Sequence, residues 1–231
     1  GGSGFPPPRG TDERKLRILR SRLDAGAAVV DAVRRAAVKP KVVVQSSAVG
    51  YYGPRGDEAL GVDSGPGRDF QAQVCLEWEA STAVVEEMGV RRVVIRTGVV
   101  LDPQAGALPQ IALPIRLFVG GPLGSGRQYL SWIHLRDEVR AIRFLIENEA
   151  ASGPFNLTAP NPLPNRAFGQ EVARVLGRPF YFPTPAFALR LALGEISTLV
   201  LDGQRALPYR LQEMGFQFTF PEARQALQDL L

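Results

Sequence analysis

Lysine is nearly missing from this 231-residue chain. It occurs only at Lys15, Lys39 and Lys41, so the 190 residues that follow contain none. No Schiff-base lysine and no lysine-assisted tyrosine can therefore operate beyond position 41. Cysteine and histidine occur once each, as Cys75 and His134. One of each excludes an internal disulfide and the usual Cys/His zinc site, so no metal is expected. No apolar run approaches the ~18 residues that a membrane span needs, and no secretory leader is visible, so a cytoplasmic protein without membrane association is expected. The formal net charge of +4 is small, and many arginines alternate with acids on helix faces. Nucleic acid is accordingly not an expected partner. With 45% hydrophobic and 22% charged residues, the composition is that of a folded globular protein.

What is present is helix alternating with short apolar strand. Residues 1–10 (GGSGFPPPRG) read as a leader, flexible and then stiff. Thr11 is a good helix cap, and Leu16, Leu19, Leu23, Ala27 and Val30 recur at helical spacing. The β-branched run from Val42 to Ser46 reads as a buried parallel strand, and Val93 to Thr97 as a second. Between them a helix is expected from Asp69 to Met88, with Ala72, Cys75, Leu76 and Val84 inward and Gly89 as its stop. This order predicts an α/β fold with a parallel sheet. Further on, Pro109 and Pro114 are expected to break Leu108–Phe118 into short pieces. Gln128–His134 alternates as a strand. Leu135–Asn148 reads as a helix with Val139, Ile142, Leu145 and Ile146 inside, and Pro154–Thr158 as a short strand. Asn165 is read as the cap of a helix closed by Gly177, and Phe216–Phe220 as a strand before a last helix.

Ligands of a parallel α/β sheet bind beyond the carboxyl ends of its strands. Two such ends are legible: residues 46–53 (SSAVGYYG) and residues 96–101 (RTGVVL). Hydroxyls and phenols there suit a substrate hydroxyl, while serines in a turn serve equally well to bond their own backbone. Cys75 can be read as a nucleophile or as a buried helix cysteine, and His134 as an acid/base or as a structural hydrogen-bonding group.

These motifs, with residues 120–126 (GGPLGSG), 131–134 (SWIH), Asp137, 153–157 (GPFNL), 159–162 (APNP) and the segment from Leu207-Pro208 to Gly215-Phe216, resemble an atypical branch of the extended short-chain dehydrogenases/reductases. That branch belongs to the NAD-dependent epimerase/dehydratase family and ends in a DUF1731-like segment. The resemblance covers residues 11–231 and implies a Rossmann-like parallel sheet, N-terminally truncated, with a smaller mixed α+β C-terminal region. It implies a leader or glycine-turn remnant over 1–10, a partial NAD(P)-binding domain over 11–119 and a substrate-binding region over 120–231, with 153–158 able to rejoin the main sheet. The implied cofactor is NADP or NAD, with NADP favoured. The implied chemistry is oxidoreduction or epimerisation of a small hydroxylated or sugar-like substrate, and a homodimer is an implied assembly. An inactive nucleotide-binding pseudoenzyme with a regulatory or partner-binding role is the alternative. By resemblance Ser47, Tyr51 and Tyr52 are catalytic; Ser46, Arg96, Thr97, Gly98 and Val99 lie along the cofactor; Arg127, Trp132 and His134 form the substrate wall.

Two departures stand out. Gln71 and Cys75 occupy the positions of the family's Tyr-x-x-x-Lys pair. Gly1-Gly2-Ser3-Gly4 looks like part of a phosphate-cradling turn, yet Pro6-Pro7-Pro8 follows, and the residue before each proline is pushed out of helical conformation. The first βαβ units are therefore expected to lie upstream, leaving the Val42–Ser46 strand short of a neighbour and the isolated chain poorly soluble.

Overall fold

The computed structural model describes residues 12–187 and 202–231. The leader over 1–10 and the expected cap Thr11 lie outside the described residues. Helix α1 spans Asp12–Arg35. It leans on the rest of the molecule through Val30 and Val33, while Leu16 and Ala27 are exposed, so the buried stripe is narrower than the sequence spacing predicts. It comes close at Gly26, where a Cβ would sit 2.0 Å from Ser81 Oγ.

The central sheet has the order β1-β3-β7, all parallel: Val42–Ala48, Arg91–Thr97 and Gly153–Leu157. The register places Ala48 opposite Thr97 and Thr97 opposite Leu157, so the three carboxyl ends are level. Period-2 alternation divides the strands between two cores. Val43 packs with Val30, Val33, Val85 and Val90 beneath α1. Val42 and Val44 pack instead with Val93, Ile95, Phe155 and Leu157, and with Ala141 and Leu145 of helix α4 (Leu135–Glu147).

Helix α2 (Phe70–Ala80) is capped by Asp69, whose side chain accepts from Ala72 N at 2.9 Å. It stops at Ala80 rather than Met88. Ser81 Oγ turns back to Trp78 O at 2.7 Å, and a short 3₁₀ turn over Ala83–Val85 completes the segment. Helix α3 (Ala107–Arg116) is one piece despite its prolines. Pro109 falls in the first turn, where an amide would have no helical partner, and Pro114 lies near the end.

The strand expected over Gln128–His134 is two short ones split by buried Ser131: β5 (Tyr129–Leu130), antiparallel to β8 (Leu163–Pro164), and β6 (Trp132–His134), parallel to β4 (Val99–Leu101). β2 (Ala59–Leu60) pairs with β9 (Arg205–Ala206). In α4 the inward residues are Asp137, Glu138, Ala141 and Leu145, whereas Val139 is 58% exposed and Ile146 44%. Helix α5 (Asn165–Leu176) ends at Gly177, whose φ of 63° is the left-handed stop. Asn165 does not cap it; its Oδ1 accepts from Leu123 N at 3.0 Å.

The C-terminal segment carries helices α6 (Tyr209–Glu213) and α7 (Ala223–Leu230). Between them Phe216–Phe220 is not a strand. The amides of Thr219 and Phe220 bond the Asp137 carboxylate at 3.0 and 2.8 Å instead of a neighbouring backbone. No helix among the described residues is long and apolar enough to cross a membrane.

Candidate active site

The exit of β1 turns at once into a 3₁₀ helix, Val49–Tyr52, and this tight turn folds the two tyrosines back beside β3. Ser47 and Arg96 are register partners, so their side chains point to the same face. Both are almost fully buried, at 3% and 4% exposure. Glu79 of α2 joins them: Ser47 Oγ donates to Oε1 at 2.7 Å, and Arg96 pairs through Nε–Oε1 at 2.9 Å and Nη2–Oε2 at 3.0 Å. Arg96 Nη1 donates to the Tyr52 hydroxyl at 3.1 Å and to Val62 O at 3.2 Å. The Tyr52 hydroxyl donates to Asn156 Oδ1 at 2.6 Å, and Asn156 Nδ2 reaches Leu60 O and Leu207 O. The guanidinium carbon lies 3.4 Å from the centroid of the Tyr51 ring, which meets Tyr52 edge-on.

Electrostatics follow from this packing. Burial opposes the charge of Arg96, but Glu79 and Tyr52 together outweigh it and hold the guanidinium above its ordinary value. Burial pushes the Tyr52 phenol up, and the Arg96 and Asn156 bonds offset it only in part. Burial likewise pushes the Cys75 thiol up, away from thiolate chemistry. Cys75 and Gln71 both face Gly50, where a Cβ would lie 3.2 Å from Gln71 Oε1 and 3.9 Å from Cys75 Sγ.

The other face of the same strand ends is different. Ser46 is exposed and Thr97 partly exposed. Thr97 Oγ1 donates to Glu138 Oε1 of α4 at 2.9 Å. Burial pushes the Glu138 carboxyl up to about 7. Gly98 follows in a crossing so close that a Cβ would lie 2.2 Å from Ser131 O, and Val99 N donates to that oxygen at 2.7 Å.

The structure therefore gathers Ser47, Tyr51, Tyr52 and Arg96 on one side of the strand ends, with Ser46, Thr97, Gly98 and Val99 along their rim. The residues expected as a substrate wall do not join them in one cluster. Trp132 is fully buried and donates from Nε1 to Asn161 O. His134 is buried, caps α4 by accepting from Arg136 N at its Nδ1, stacks on Phe220 and faces Asp229 with Nε2 at 3.3 Å. Its burial lowers the imidazole pKa despite Asp229. Arg127 is exposed on the loop after Gly126. Sequence reading gave no role to Glu79, Asn156 or Glu138. The signal for Asn156 was its place in a strand that returns to the sheet; nothing local marks Glu138. Among the described residues no cluster of His, Cys, Asp and Glu could hold a metal.

Comparison with known proteins places this geometry in context. The model of the NAD dependent epimerase/dehydratase family matches residues 8–158, and that of a domain of unknown function (DUF1731) matches residues 184–230. The chain is 42% identical over 224 residues to the epimerase family protein YfhF of Bacillus subtilis, covering 96% of this chain and 74% of that protein. Among solved structures, human epimerase family protein SDR39U1 (isoform 2), determined with NADPH, superposes with a TM-score of 0.91 at 32% identity, over 96% of this chain and 76% of that one. A nucleoside-diphosphate sugar epimerase from Corynebacterium glutamicum gives 0.79 at 31% identity, over all of this chain and 44% of that one.

Proposed function

This chain belongs to the NAD dependent epimerase/dehydratase family, and from that premise we propose that it uses NADP(H) in an oxidoreduction or epimerisation of a small hydroxylated, sugar-like substrate. The observation that carries this reading is the pair of hydroxyls, Ser46 exposed and Thr97 partly exposed, on adjacent parallel strands whose carboxyl ends are level. That is where an α/β sheet takes its ligand. A relative solved with NADPH and another named as a nucleotide-sugar epimerase support the cofactor and the substrate class.

The residues present fit the nicotinamide end of a dinucleotide: short hydroxyls at Ser46 and Thr97, Ala48 opposite Thr97 in the register, and a Gly98 that brings backbone close. A bound nicotinamide supplies hydride exchange with a substrate carbon. Ser46, Thr97, Gly98 and Val99 would orient it. On the neighbouring face, Ser47 commits its proton to Glu79 and Tyr52 commits its own to Asn156. Both are positioning groups in this reading. Tyr51, held by Arg96 against its ring, keeps its hydroxyl for the substrate oxygen. No lysine assists it, so the buried Arg96 is the cation of the site.

Titration of the full chain with NADPH and NADH, followed by fluorescence, tests the reading. Saturable binding with NADPH the tighter is expected; no binding of either at millimolar concentration overturns it.

A further inference from the structure

Among the described residues Glu138 is a carboxyl with one hydrogen bond and no ion-pair partner. It lies in the first turn of α4, is 7% exposed, and accepts from Thr97 through Oε1, while Oε2 is buried without a partner among the described residues. Among the described residues the charged groups nearest in α4, β6 and β3 are engaged elsewhere. On α4, Arg136 faces Asp229, and Asp137 holds Arg140 and the amides of Thr219 and Phe220. On β6, His134 faces Asp229; on β3, Arg96 is on the opposite face with Glu79. Ser46 of β1 is uncharged. Only burial and the Thr97 bond act on the Glu138 carboxyl, and the balance leaves it near neutrality, at about 7.

We propose that Glu138 sets, through Thr97, whether the ligand end of β3 offers a hydrogen-bond acceptor or a donor, and so couples binding of a nicotinamide dinucleotide to release of a proton. A threonine hydroxyl has one proton and two lone pairs. With the proton given to ionised Glu138, Thr97 presents only lone pairs to the partly open face. Once Glu138 takes up a proton, its own O–H can point to Thr97, and the threonine proton is free to turn outward. A ligand N–H turned to Thr97, as a primary carboxamide can turn it, meets two free lone pairs in the first state but only one, beside an outward proton, in the second, and so binds the first state better. Its binding therefore favours ionised Glu138 and expels a proton. Glu138 is a positioning residue in this scheme; Thr97 touches the ligand.

The inference rests on the dinucleotide reading above, and the experiment separates the two. The full chain is titrated calorimetrically between pH 6 and 8 with NADPH and with 2′-phospho-ADP-ribose, which lacks the nicotinamide ring. Phosphate ionisation affects both probes alike, so the difference between them is read. NADPH affinity is expected to gain roughly tenfold over the other probe as pH rises, with proton release measured in two buffers of different ionisation heat. Glu138→Gln and Thr97→Val are expected to abolish that gain, and Thr97→Ser to retain it. An equal pH profile for both probes, or a gain that persists in Glu138→Gln, overturns the proposal while leaving the cofactor reading intact. Failure of both probes to bind at any pH overturns both.

Discussion

Glu79 on α2 grips Arg96 on β3 with both carboxylate oxygens, at 2.9 and 3.0 Å, in a setting almost closed to water. The pair places a buried guanidinium beside both tyrosines. Removing the carboxylate would leave a buried guanidinium uncompensated and free the Ser47 hydroxyl. Glu79→Ala should lose about 3–5 kcal/mol of stability in urea unfolding, whereas Glu86→Ala, at an exposed carboxylate, should lose less than about 1.

The two adjacent tyrosines should separate cleanly. Tyr52→Phe strands Asn156 Oδ1 and removes an acceptor from Arg96, so it should destabilise by about 1–3 kcal/mol. Tyr51→Phe should change stability by less than about 0.5 kcal/mol yet lower turnover on the order of 10²-fold. Thermal unfolding and steady-state rates on the same preparations distinguish them. Equal stability loss in both variants would contradict the division of roles.

Gly98 tests the rim. A Cβ there would lie 2.2 Å from Ser131 O and 3.0 Å from Thr158 Cγ2, so Gly98→Ala must push β4 from β6 or fail to fold. A loss of about 1–3 kcal/mol or more is expected. Gly65→Ala, with open space around it, should stay within about 0.5 kcal/mol of wild type. Differential scanning calorimetry of the two variants makes the comparison.

Glu138 predicts an unusual pH dependence of stability. Its folded pKa, raised to about 7, exceeds the ordinary 4.5. As pH rises through 4.5 the unfolded chain loses this proton first, so the folded state binds more protons and stability falls until pH passes 7. The contribution is full below 4.5 and lost above 7. Glu138→Gln should flatten this decline, gaining up to about 3 kcal/mol over wild type at pH 8 relative to pH 4. Parallel denaturation curves in the two proteins across that range would exclude the buried ionisation.

The strands were legible because β-branched runs such as Val42–Val44 and Val93–Ile95 need no information from elsewhere to declare a buried strand. The inward face of α4 was not. Apolar spacing favours Val139 and Ile146, yet the helix buries Asp137 and Glu138, because partners at Thr219, Phe220 and Thr97 satisfy their oxygens. Those partners are remote in sequence, and hydrophobic periodicity carries no trace of them. The same holds for Phe216–Phe220, whose alternation is real but whose amides answer to Asp137 rather than to a strand. The motifs located the residues around Glu79 at the strand exits. They gave no indication that Ser47 and Tyr52 spend their protons on Glu79 and Asn156.

The hydrogen bonds of Asn156 also fix a sequence of events. Its side chain closes onto Tyr52, Leu60 and Leu207, at chain separations of 104, 96 and 51 residues. Each closure spends loop entropy before any bond forms, and contacts so distant in sequence slow folding. The sheet and its helices must therefore assemble first. The Tyr52 hydroxyl meets its acceptor when β7 joins the sheet, whereas the Asn156 amide gains Leu207 O only once the C-terminal segment docks, so that segment is what finally locks the side chain against which Tyr52 is set.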